Sequence, residues 1–200
     1  MNHTKRTNSF ILVIITIINA FIISGYIQDG TKHNISMGFA LTIAGLAALA
    51  LICDYVLFFI KKDSNAFKYV TISGYLVVYT LALLNARNDL VFAMAFPIFL
   101  MYVLYFDTLF MGIISGIFAL INVISIIAFF VRGSMPSGIS IELSTILLQF
   151  ATIAVTGFAL TWITHLEKSL KKSQLASIEA EKEKSENILY DVLKLSDIVK

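Results

Sequence analysis

The chain has 200 residues, of which 58% are hydrophobic and only 14% charged, whereas a soluble domain of this length carries roughly 25% charged residues. That balance excludes an ordinary soluble globule and places most of the chain in a bilayer. A net charge of +2 is too small for nucleic-acid binding, and a single cysteine, Cys53, excludes an intrachain disulfide.

Six apolar runs follow one another: Phe10–Ile27, Ile35–Ile60, Tyr69–Leu84, Leu90–Phe106, Thr108–Val131 and Leu143–Ile163. A spanning helix needs about 20 such residues. The first run follows Lys5 and Arg6 as a signal peptide would, but it lacks a small-x-small cleavage site and reads as a retained anchor. The second carries the stripe Ala40-x-x-x-Ala44-x-x-x-Ala48, which permits close helix contact, and one acid, Asp54. An acid in a span needs a reason. Asp54 reads either as a proton- or ion-responsive carboxylate, or as an acid near the interface that pairs with Lys61 or Lys62 or reaches water.

The third run is short, and Lys68 is expected to snorkel outward so that the helix starts near Phe67. Asn85, Arg87, Asn88 and Asp89 then form the most polar turn of the bundle. They are candidate ligands for a small anion or zwitterion, with Tyr79, Phe92 and Phe96 as pocket walls. Equally, they make a solvated hairpin in which Asp89 favourably starts the next helix, with the aromatics as interface anchors.

Only Asp107 separates the fourth run from the fifth. One helix through both would be about 63 Å long, twice the hydrocarbon thickness. The chain must turn at Asp107, whose carboxylate is expected to cap the following helix, while Pro97 kinks the fourth span. Gly112-x-x-x-Gly116 and Asn122 lie in the fifth run, and Gln149, Thr152 and Thr156 recur at helical spacing in the sixth. Asn122 and Gln149 line a polar cavity or bond across helices. The loop from Arg132 to Glu142 is too short for a folded sensory domain.

With the N-terminus inside, the inner segments hold Lys5, Arg6, Lys61, Lys62, Lys68, Lys168, Lys171 and Lys172, and the outer loops only Lys32, Arg87 and Arg132. The positive-inside rule therefore predicts a multi-pass protein of the cell membrane with both termini cytoplasmic. The expected fold is all-α: a six-helix transmembrane module over residues 1–163, then a cytoplasmic helix over 164–200. In that tail Leu175, Ile178, Leu189, Val192 and Val199 share one heptad frame, the start of a coiled coil, whereas Leu166 and Leu170 belong to another phase. Leu195, Ile198 and Val199 still recur without a cap, so the natural chain is expected to continue. No HExxH, GxSxG, Walker loop or Cys/His cluster is present. Neither catalysis, a metal nor a cofactor is expected.

The stretch Arg87-Asn-Asp-Leu-Val-Phe-Ala-Met-Ala-Phe-Pro97, with Leu104-Tyr-Phe-Asp107, resembles the N-terminal region of clostridial-type methyl-accepting chemotaxis proteins, which carry a multi-span membrane module. Ile188-Leu-Tyr-Asp-Val-Leu-Lys-Leu-Ser-Asp197 looks like the start of their cytoplasmic helix. The resemblance covers most of the chain but rests on these two stretches. It implies a homodimeric receptor controlling a chemotaxis histidine kinase through a coupling protein. The same architecture suits the sensor region of a membrane histidine kinase or a cyclic-dinucleotide cyclase. A small six-span transporter or its substrate-binding subunit explains the bundle but not the charged tail.

Overall fold

A computed structural model describes residues 3–86, 91–133 and 143–198, and every regular element among them is helical. The elements are α1 (His3–Thr31), α2 (Met37–Ile60), α3 (Ala66–Leu84), a 3-10 turn (Val91–Met94), α4 (Ala95–Val103), α5 (Thr108–Arg132) and α6 (Leu143–Ile198). α1, α2, α3, α5 and α6 are long and apolar enough to cross a membrane. Their outward faces are apolar too: Phe21, Phe59, Leu109, Phe158 and Trp162 are all exposed. In water such a surface would drive association; in lipid it is the ordinary exterior.

The helix ends follow local chemistry. Ser36 Oγ accepts the Phe39 N–H and starts α2, and Asp107 Oδ1 accepts the Phe110 N–H at 3.1 Å and starts α5, as its position predicted. Gly133, at φ 74°, closes α5 in the left-handed conformation that glycine adopts without strain. α1 packs on α2, α2 on α3 and α5 on α6. Small residues set how closely they approach. A Cβ on Gly30 would fall 2.8 Å from Ala40, one on Gly74 the same distance from Ala50, and one on Gly157 the same from Ser115. Between α5 and α6 the contact therefore runs through Gly112, Ser115, Gly157 and Thr161, while Gly116 faces open space. In α2 it is Ala40, Ala44 and Ala47 that are buried, not Ala48.

The fourth run departs from the expected kinked span. Pro97 lies in the first turn of α4, where its missing N–H costs nothing, so it starts a nine-residue helix instead of bending a long one. The segment Val91–Val103 falls short of the long apolar helices. It is nonetheless built into the bundle. Tyr75 of α3 donates to the Met94 carbonyl at 2.8 Å and Tyr79 to that of Phe92 at 3.4 Å, satisfying acceptors that the irregular backbone leaves unpaired. Tyr79 is thus neither an interface anchor nor a pocket wall. It is fully buried, and stacked edge-on against Phe118.

Candidate functional site

Several buried polar groups of this apolar bundle gather at one end. Asn8, one turn into α1, donates through Nδ2 to the carbonyls of Lys62 and Ser64 in the α2–α3 loop, and its Oδ1 accepts the Tyr105 hydroxyl at 2.7 Å. One buried amide thereby holds together α1, the α2–α3 loop and the α4–α5 turn. Beside it Lys68 Nζ lies 2.6 Å from Asp107 Oδ2. The ammonium is also 4.6 Å from the centroid of the Phe110 ring and within 6 Å of those of Tyr69 and Tyr105, which adds cation–π attraction. Lys68, expected to snorkel outward, is folded inward instead, because the capping carboxylate and three rings offer it a better partner than the interface. Tyr102 closes the cluster by donating to the Lys68 carbonyl at 3.2 Å.

Asp107 does two things at once. One oxygen starts α5 and the other holds α3. Partial burial pushes its carboxyl up, but the Lys68 hydrogen bond, the Phe110 N–H and the charges of Lys68 and Lys168 outweigh it. The net effect holds the group below the ordinary carboxylate range.

The emerging end of α6 meets this cluster. Lys171 Nζ sits 4.4 Å over the ring of Phe106, the residue just before Asp107. Phe106 has φ 53°, a left-handed conformation unfavourable for a large side chain, and so is held in place by its surroundings. Nearby, the Thr108 hydroxyl and Glu167 Oε2 are withdrawn from solvent without a hydrogen-bond partner among the described residues.

No family model, curated protein or solved structure matches the chain.

The residues singled out from the sequence are dispersed. Asp54 is 2% exposed, accepts the Thr71 hydroxyl at 2.8 Å and makes no ion pair among the described residues, so neither Lys61 nor Lys62 is its partner. Thr71 stands one turn beyond Lys68 on α3, which puts Asp54 on the inner edge of the junction. Asn122 bonds Tyr79 Oη at 2.9 Å and thus links α5 to α3, the interhelical use of such a residue. Gln149 is half-buried on α6, and Thr152 bonds back to its own helix at Leu148. Asn85 bonds back to Leu81, while Arg87, Asn88 and Asp89 lie outside the described residues, as does Val199. Leu175, Ile178 and Leu189 are exposed on α6, and Val192 is described as a helical position only.

One pattern joins the tail to the bundle. At 3.6 residues per turn, Leu175 and Ile178 lie about five full turns below Gly157 and Leu160, on the same helix face. That face is buried within the bundle at Ile153, Gly157, Leu160 and Thr164, and below it carries Lys168 and Lys171. Leu166 instead lies about five turns below Leu148, on the outward apolar face. The two phases of the tail are thus the two faces of a single continuous helix. Asn8, Tyr105, Phe106 and Lys171 gave no sequence signal as a group. Only the polar Asn8 at the head of an apolar run hinted at a partner.

Proposed function

We propose that this chain is a sensory membrane module that passes a change in the bundle to the cytoplasmic part of α6. The observation that carries this reading is the contact of Lys171 with Phe106 at the α4–α5 turn, the turn to which α1 and α3 are also tied. Motion of any of these helices reaches α6 through one small junction. The two unpaired groups, on Thr108 and Glu167, favour a second arrangement, since each buried unmade hydrogen bond costs roughly 1–3 kcal/mol.

In this reading the fourth segment completes six crossings, with its break bridged by Tyr75 and Tyr79, and both termini lie in the cytoplasm. The gathering of the eight inner Lys and Arg at the junction end supports that orientation. The chemoreceptor-like stretches favour a homodimer that acts on a chemotaxis histidine kinase through a coupling protein. Here the helix face makes a specific demand. The apolar face of Leu175 and Ile178 points under its own bundle, so two parallel copies paired through it on a straight α6 would place their bundles in the same space. Pairing requires α6 to turn or bend between Thr164 and Leu175, beside the junction.

The test is disulfide cross-linking in native membranes from Ile178→Cys in a Cys53→Ser background. Releasing α6 with Phe106→Ala and Lys171→Glu is expected to raise the yield of cross-linked dimer several-fold, with Lys184→Cys, off the apolar face, unchanged. Equal yields with and without the release would end this reading of the junction.

A further inference from the structure

Between the first turns of α1 and the α4–α5 turn lies an open groove of about 510 Å³, lined by Arg6, Thr7, Phe10, Leu104 and Phe106. Apart from Arg6 and Thr7 its walls are apolar, and it lies at the junction end, where the chain concentrates its basic residues. Arg6 is exposed on one side. The other wall is Leu104 and Phe106, and the ring of Phe106 also carries the Lys171 ammonium, which does not itself line the groove. The other open grooves differ in kind. The one between α1 and α2, lined by Tyr55, Phe59 and Ile60 among others, and the one between α2 and α3, around Cys53 and Gly74, contain no charged side chain.

A slot with an apolar floor and an exposed arginine at its edge, at the basic end of a membrane bundle, matches the chemistry of a phosphate carried on an acyl chain. We infer that this groove binds an anionic phospholipid of the leaflet at the basic end. The phosphate sits at Arg6, and the first part of a chain lies on Phe10, Leu104 and Phe106. A zwitterionic lipid gains little there, because its own cation competes with Arg6. Attraction of an anionic surface is worth about 1 kcal/mol for each nearby Lys or Arg, or about fivefold in affinity. The inference does not rest on the sensory reading. If both hold, the lipid abuts the residue that contacts α6.

The experiment is native mass spectrometry of the detergent-purified full chain, titrated with phosphatidylglycerol or phosphatidylcholine. Phosphatidylglycerol is expected to be retained about fivefold better. Arg6→Gln should cut that preference to under twofold, Arg6→Lys should keep most of it, and Lys32→Gln, at the opposite end, should leave it intact. Phe10→Ala, at a half-exposed position that the fold does not need, should weaken retention of phosphatidylglycerol as well, which covers the case in which Arg6→Gln fails to fold. Equal retention of the two lipids, or an equal loss with Lys32→Gln, overturns the inference. Displacement by millimolar glycerol 3-phosphate would also overturn it, as that marks a site for free phosphate and not for lipid.

Discussion

Lys68 and Asp107 show how one pair can serve both folding and coupling. A buried ion pair broken on one side costs roughly 3–5 kcal/mol, and an exposed pair is worth under about 1 kcal/mol. With side chains 10% and 33% exposed, this pair stands between those limits. Asp107→Asn keeps an α5 cap, since asparagine caps as well as aspartate, and removes only the charge. It is expected to lower stability by about 2 kcal/mol at neutral pH. Because the folded carboxyl is held below its ordinary range, the pair contributes stability above the unfolded value of about 3.9 and loses it as the pH falls through the folded one. The gap between wild type and Asp107→Asn in thermal unfolding should therefore close as the pH drops below about 4; a constant gap would show that the charge pair is not what the substitution removed. The role of Asp107 as a cap was legible because a run twice the membrane thickness had to turn there. The inward fold of Lys68 was not, since its partner is distant in sequence and snorkelling is the default for a lysine at a span end.

At the level of elements, composition located the helices but not their faces. Apolar runs mark spans whichever side is buried, so α1, α2, α3, α5 and α6 were visible from hydropathy alone. The fourth run was visible as well, but not its break into a 3-10 turn and a nine-residue helix, because its carbonyls are satisfied by Tyr75 and Tyr79 of another helix. Nor did the sequence choose between the glycines of α5. In lipid no hydrophobic force draws helices together, and close contact must do so. The α5–α6 pair, which presents the tail, rests on Gly157 fitting over Ser115. Gly157→Leu should force the two helices apart at a cost of roughly 1–3 kcal/mol, and Ser115→Gly in the same chain should recover about half of it by opening space on the facing helix. Unfolding in mixed micelles measures both. Without rescue in the double variant, the contact at Ser115 would not be the one that sets the α5–α6 distance.

For the molecule as a whole, the question is on which side of the membrane the tail emerges. The five long helices alone would make five crossings and leave α6 ending opposite the N-terminus. However, Asp107 lies beside Lys68, so the chain between Leu84 and Thr108 returns to the end at which α3 began. That return carries the chain back along the bundle, as the proposed sixth crossing requires. The tail then shares a side with the α2–α3 loop and faces away from the α1–α2 loop. Single cysteines decide it in a Cys53→Ser background. In intact cells a membrane-impermeant maleimide should label Lys32→Cys, and should label Asp63→Cys and Lys184→Cys only after permeabilisation. If Lys184→Cys reacts alongside Lys32→Cys, the fourth segment does not cross. That outcome would contradict the contact of Lys171 with Phe106, and α6 could not carry the state of the junction into the cytoplasm.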